Sequence, residues 1–318
     1  SSHLRAASPA PEAGMHGTIN GAVGFAAFCA AWLMLELQRG KGLGEALRSW
    51  WLEPAVATLS FAVAIAIFDK RERDMGLGEE GRISTLRPGP DFVAPGSVNM
   101  LFVAGVLYWA GICVWVRLVP AVEDIPDGWP DGFQGAVYLI CEVCAGIWAY
   151  DFIFSFVHLA AHHLGWDSHQ YHHLKKLDIR ARDVLTHSPS DGALQVLVNI
   201  IVQRHTPWGG AKSRLARIVH NVVVTWMLTE SHSASPSPNV ARRLFSGVRR
   251  HRAHHAGAPY YQQFFGYIDD FRIALLSGKH GHGCDGAGDV GAVLVKQAAR
   301  AGPRSAAEAP GGAAGAAA

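Results

Sequence analysis

The sequence predicts an all-α protein, an integral membrane helical bundle of about four membrane helices with a cytosolic, histidine-rich helical cap. Three observations carry this. Charged residues make up 17% of the 318-residue chain and hydrophobic ones 49%, against about 25% charged in an ordinary soluble domain. Four apolar stretches precede residue 158. Beyond them, thirteen of the seventeen histidines fall between His158 and His255, many at helical spacing.

The apolar stretches are residues 17–37, 54–68, 97–119 and 135–157. A membrane helix needs about 20 apolar residues to cross a ~30 Å hydrocarbon core. The first, third and fourth stretches reach that length. The second is shorter and is expected to be re-entrant or partly buried. Two later runs, 192–203 and 218–228, are too short to span alone. They are expected to form a shallow hairpin, to pack against the other helices, or to be core helices of the cytosolic cap. The tail after Ser277 is rich in Gly and Ala, lacks apolar periodicity and is expected to be disordered. The chain thus divides into N-terminal membrane helices and loops (1–134), a histidine-bearing domain (135–276) and a tail (277–318). It opens without Met, as a fragment or processed form would, and shows no clear signal peptide.

Charge placement sets an expected orientation. The loop PAVEDIPDGWPDGF, 120–133, holds four acidic residues and no Lys or Arg, whereas 69–87 and 174–182 are rich in both. The positive-inside rule puts the acidic loop outside and the histidines in the cytosol. Arg39, Lys41 and Arg48 fit this less well if 54–68 spans. The net charge of +2 and the absence of a basic stripe with interleaved aromatics give no reason to expect a nucleic-acid partner. The five cysteines do not form a disulfide framework. Cys141 and Cys144 make a CxxC inside YLICEVCAGIW, where two small residues of a buried helix are expected over a redox or metal pair.

The histidines fall into three boxes and one outlier. HLAAHH carries His158, His162 and His163; HQYHH carries His169, His172 and His173; HRAHH carries His251, His254 and His255; His232 stands between in TESHS. Residues three and four apart share a helix face, so each box directs imidazoles to one side. A histidine-rich solvated tract would lack that spacing. Here H-x-x-H-H recurs about 80 residues apart, each time near an apolar segment. Nine expected ligands follow: His158, His162, His169, His172, His173, His232, His251, His254 and His255. They are too many for one four-coordinate zinc and suit two metals of higher coordination. Imidazole accepts Zn, Cu, Fe or Ni, so the histidines alone do not name the metal.

His163 is left as a ligand or as a donor behind the ligands. Asp151 lies seven residues before His158, on the same helical face and inside an apolar run, and is expected to orient a ligand ring. Asp191 is a second candidate for that role, toward the HQYHH box. Glu142, toward the other end of the same helix, is expected to be structural. His220 lies twelve residues before His232, about 18 Å along a helix, and cannot share its site unless the helix breaks. His187 is a weaker candidate still. Arg249, Arg250 and Arg252 flank the last box, where they would meet lipid phosphates or an acidic electron-donor protein.

These motifs, DFIFSFVHLAAHH, HQYHH, ESHS and HRAHH followed by AGAPYYQQFFGYIDDF, resemble the fatty acid hydroxylase/sterol desaturase superfamily of membrane histidine-box di-iron oxygenases. The resemblance covers roughly residues 136–271. Leu159 stands where the family usually has Arg, ASP follows the His-Ser pair, and THSPSDGAL replaces a more usual His-Pro segment. The resemblance implies two iron ions held by the nine histidines, with zinc able to load recombinant material. It implies hydroxylation of an unactivated C–H bond of a sterol or fatty acyl chain, using dioxygen. A lipid desaturase or a carotenoid hydroxylase would keep the same boxes, and a non-catalytic metal-binding membrane protein is the alternative of another class. The chain has no Gly-rich nucleotide fingerprint and no His-Pro-Gly-Gly haem segment. Electrons are therefore expected from a separate cytochrome b-type haem protein or ferredoxin with an NAD(P)H-dependent reductase. The endoplasmic reticulum membrane is expected if the source is eukaryotic.

Overall fold

The computed structural model describes residues 51–75, 109–114, 117–118, 125–170, 172–174, 179–185, 189–234 and 240–277. The apolar stretch 17–37, most of 97–119 and the tail lie outside them. Among the described residues every regular element is helical, apart from one isolated bridge between His205 and Ala211. The helices are α1 Leu52–Asp74, α2 Gly132–His163, α3 Asp167–Gln170, α4 Pro189–Arg204, α5 Arg214–His232, α6 Val240–Leu244, α7 Ser246–His255 and α8 Tyr267–Ser277. Short 3-10 turns cover His172–Leu174 and Ala181–Leu185.

Two helices, α1 and α2, are long and apolar enough to cross a membrane. The first is longer than the apolar stretch 54–68, and it is partly buried, one of the two alternatives expected for that stretch. The helix does not stop where the apolar run ends at Phe68, because Asp69–Arg73 and Lys70–Asp74 pair across one turn and carry it on to Asp74. In α2, Val143, Ile147, Tyr150 and Phe154 turn inward, while Val137, Ile140, Trp148, Phe152 and Phe156 form an exposed apolar face. Cys141 and Cys144 lie on that outward side as free thiols. The expectation that they are buried is therefore corrected: the inward face is set by the 143/147/150/154 series, and 141 and 144 fall off it.

Helices α1, α2 and α5 run parallel, and α4 runs against them. Contacts at both ends fix this. Glu53, opening α1, pairs with Arg217 near the start of α5 at 2.8 Å. Midway, Ser60 Oγ meets Thr225 Oγ1 at 2.9 Å and Phe68 meets Trp226 edge to face. At its end, Glu72 accepts from the Ala181 and Ala234 amides. The two short runs between the second and third boxes, now α4 and α5, pack against the other helices of the bundle. The core joins Tyr150 and Phe154 of α2 to Val198 and Val202 of α4, Val224 and Met227 of α5, Val248 of α7, and Phe264. Each such side chain contributes roughly 1.5–3 kcal/mol on burial.

Helix α5 begins at Ser213, whose Oγ accepts from the Ala216 amide and donates to Glu142 on α2. The capping residue therefore also ties α5 to α2. At the other end, the C-termini of α2 and α5 meet the N-terminus of α4 and the whole of α7. That is where the histidines gather.

Candidate metal centre

All nine histidines expected as ligands come together, and they do so as two groups. His158, His162, His169, His173 and His254 form one; His172, His232, His251 and His255 form the other. Within each group the ligand atoms lie within 4.8 Å of one another. The two H-x-x-H-H boxes divide in opposite senses. His169 and His173, one turn apart, enter the five-histidine group and His172 enters the other. His251 and His255, one turn apart, enter the four-histidine group, and His254 crosses to the first. Positions i and i+4 share a direction, while i+3 sits about 100° from i+4. Each box therefore serves two centres.

In the larger group four Nε2 atoms close a quadrilateral. Its sides are His162–His254 at 3.2 Å, His169–His162 at 3.2 Å, His173–His169 at 3.1 Å and His254–His173 at 3.2 Å. His158 packs against all four rings, and its buried Nε2 has no hydrogen-bond partner. The smaller group shows the same spacing: His232–His172 at 3.1 Å, His251–His232 at 3.2 Å and His255–His251 at 3.1 Å.

The outer nitrogens fix the tautomers. His158 Nδ1–H donates to the Tyr261 carbonyl at 2.8 Å, His232 to Leu228 at 2.7 Å, His254 to Ala258 at 3.3 Å and His169 to Asp191 at 3.1 Å. With the proton on Nδ1, each of these rings presents a bare Nε2 lone pair inward. Burial and the neighbouring rings hold His173 down to about 3, and push His251, His254 and His255 well below the ordinary imidazole range. These four rings thus stay neutral at physiological pH. Converging lone pairs about 3 Å apart repel unless a cation lies between them. Metal–nitrogen bonds of about 2.0–2.1 Å place adjacent ligands roughly 2.9–3.4 Å apart, from right-angled to tetrahedral geometry. The observed spacing fits, so these residues can hold metal ions.

Buried carboxylates surround the centre, and most of them clamp the backbone. Asp151, 0% exposed, accepts from the amides of Gln263 at 3.0 Å, Phe264 at 2.8 Å and Phe265 at 3.1 Å. It therefore does not orient a histidine directly, which corrects the role expected for it. Residues 258–265 lack regular structure, and their amides need acceptors. Asp151 reaches His158 only through that segment, whose Tyr261 carbonyl receives the His158 proton. Asp191 does take the role expected of it, on His169. His163 is exposed and belongs to neither group; one residue beyond His162, it is turned 100° outward. His220 sits elsewhere, and α5 is unbroken between it and His232. His187 lies outside the described residues.

Several supporting groups were not anticipated. Glu230 accepts from the Ala241 and Arg242 amides and from Trp226 Nε1. Asp269 accepts from the Tyr261 and Gln262 amides. Glu72 holds the segments at Ala181 and Ala234. Gly247 lets α7 cross the 258–265 segment, since a Cβ there would lie 2.7 Å from the Phe264 carbonyl carbon. The available signal was an acidic residue inside or beside an apolar helix, as in WMLTESH. Arg250 pairs with Asp270 at 2.6 Å and lies over Tyr260, so it is engaged within the chain; Arg249 is exposed.

No family model, no curated protein and no solved structure matches this chain.

Proposed function

We propose that the protein is a membrane-bound di-iron oxygenase that hydroxylates an unactivated C–H bond of a lipid. The observation that carries this is the pair of adjacent all-histidine groups, with inward lone pairs and outward protons fixed by carbonyls and Asp191. The five-histidine group would hold one iron and the four-histidine group the other. Iron bound there supplies activation of dioxygen: one oxygen atom enters the C–H bond and the other leaves as water, with electrons from an external donor. The chain's own residues position and exclude. Carbonyls of Leu228, Ala258 and Tyr261 lock the rings, and packed Phe154, Tyr150 and Phe264 keep water from that side. A lipid substrate is favoured by the two apolar helices, α1 and α2, and by the exposed apolar face of α2 that runs toward His158. Arg71 and Arg73 in the last turn of α1 favour a cytosolic position for the histidine end. An ancillary haem protein or ferredoxin with its reductase would deliver electrons.

The test is metal content of the purified chain in detergent, beside a His172→Ala/His254→Ala variant, followed by a lipid product screen with dioxygen and a reductant. About two irons per chain, lost in the variant, with a hydroxylated product, support the reading. A desaturated product moves it to the neighbouring reaction. Metal bound in full with no turnover on any lipid makes the protein a metal-handling one. Content unchanged in the variant removes the proposed centre.

A further inference from the structure

A second buried polar cluster lies at the opposite end of the bundle. Lys212 is 1% exposed and His220 is 0% exposed. Lys212 Nζ donates to His220 Nδ1 at 3.1 Å and to Gln203 Oε1 at 3.5 Å. His220 Nε2–H donates to Asn199 Oδ1 at 3.0 Å, which leaves Nδ1 as an acceptor. Asn199 and Gln203 both donate to Asn221 Oδ1, at 3.0 and 2.6 Å. The acceptors in contact with the lysine are thus neutral. Room for it is made by Gly146 of α2, where a Cβ would run into Nζ.

Charged groups reach this pair from each packed helix. Glu142 of α2 is the carboxylate that acts most on Lys212, and it is spent on the Ser213 amide and hydroxyl at 3.2 and 2.6 Å. Glu53 of α1 is paired with Arg217 and lies 3.8 Å from Arg214. Arg204 ends α4, and Arg217 belongs to the first turn of α5. An ammonium here has therefore lost water without gaining a carboxylate in contact. Buried lysines without that compensation are the ones that release their proton most readily.

We propose that Lys212 and His220 form a proton-binding site, in which one proton on the Nζ···Nδ1 bridge sets the charge of this end of the bundle. Burial brings Lys212 down to about 7, Glu142 opposing and Arg217 adding. Burial and Lys212 hold His220 well below the ordinary imidazole range. When present, the proton rests on Lys212; when released, it goes to solvent and leaves a neutral N–H···N bond. Three helices meet at this bond, and the same three carry His158, Asp191 and His232 at their other ends. The site does not depend on the metal reading.

Linkage fixes the sign. The folded pKa is lowered, so between about pH 7 and the unfolded value near 10.4 the unfolded chain holds a proton that the folded chain does not. Stability rises with pH across that window, and below it the full burial cost is present. The test is ¹³Cε-lysine NMR of the full chain in detergent micelles, across pH, with and without metal. Among the seven lysines, one signal is expected to titrate near neutral pH and the rest near the ordinary value of about 10.4. That signal disappears in Lys212→Met, and its midpoint falls further in His220→Leu, which removes an acceptor for the ammonium. Ordinary midpoints for every lysine in the unmutated chain overturn the proposal, as does survival of the low signal in Lys212→Met. Neither result bears on metal content, so failure here is separate from failure of the oxygenase reading.

Discussion

The two ends of this bundle each bury a polar cluster on the same helices, and they solve the burial problem differently. Around Lys212, donors face acceptors: lysine to imidazole, imidazole to amide oxygen, amide to amide. Around His232 and His254 the outward nitrogens of four rings, His158, His169, His232 and His254, are satisfied, and their inward ones face other imidazoles as lone pairs. A buried polar network is stable only when its members find partners. The first cluster finds its partners within the chain; the second turns lone pairs toward a space that could hold a metal ion. The lesson is that burial and histidine count do not define a metal site. The direction in which each ring's proton is used does.

The largest effects break this comparison at the histidine end. His255→Ala is expected to lose the metal of the four-histidine group and keep the other, and His158→Ala or His162→Ala the reverse, each lowering content by about one metal per chain. His220→Leu, equally buried, is expected to leave metal content unchanged. Elemental analysis of the purified variants checks all of them. Loss of both metals from each single variant would instead mean that the groups act as one site.

A smaller effect probes how the surrounding segment is held. Asp151→Leu leaves three amides of the 263–265 turn without their acceptor. The expected destabilisation is about 3–5 kcal/mol, the scale of an uncompensated buried polar group with several partners. Loss of the Tyr261 carbonyl from its place would then weaken metal binding by His158. Thermal unfolding with and without iron separates the contributions. Unchanged stability would show that water takes over the role of the carboxylate.

The helical spacing of the boxes was enough to name eight of the nine converging residues, because i, i+3 and i+4 relations are local; His232, alone in TESHS, was matched through the resemblance and not through spacing. The division into two groups was not legible. It depends on how α7 faces the rings of His169, His172 and His173, and such a contact, His254 with His173, joins residues 81 positions apart. Asp151 shows the same limit. Its place on the face of His158 was readable, but the amides it serves come from more than a hundred residues later. Cys141 and Cys144 were misplaced because a helix that is apolar all round carries no stripe that separates inside from outside. The second apolar stretch looked too short because ion pairs extending a helix do not register in hydropathy.

The finest distinction between the two ends lies in a single carboxylate. Asp191 accepts the His169 Nδ1 proton at 3.1 Å, and Gln195 donates to its other oxygen at 3.4 Å. Both groups are buried. A carboxylate behind a ligand ring fixes its orientation and raises its basicity. Asp191→Asn keeps the shape and an acceptor oxygen but removes the charge. The fold should hold, and the five-histidine group alone should bind its metal about 10–100-fold more weakly, measured by competition with a chelator. In the four-histidine group the His232 Nδ1 proton goes to the Leu228 carbonyl instead. That group's affinity should stay put. Equal weakening of both groups would mean that Asp191 acts on the shared HQYHH segment and not on one ring.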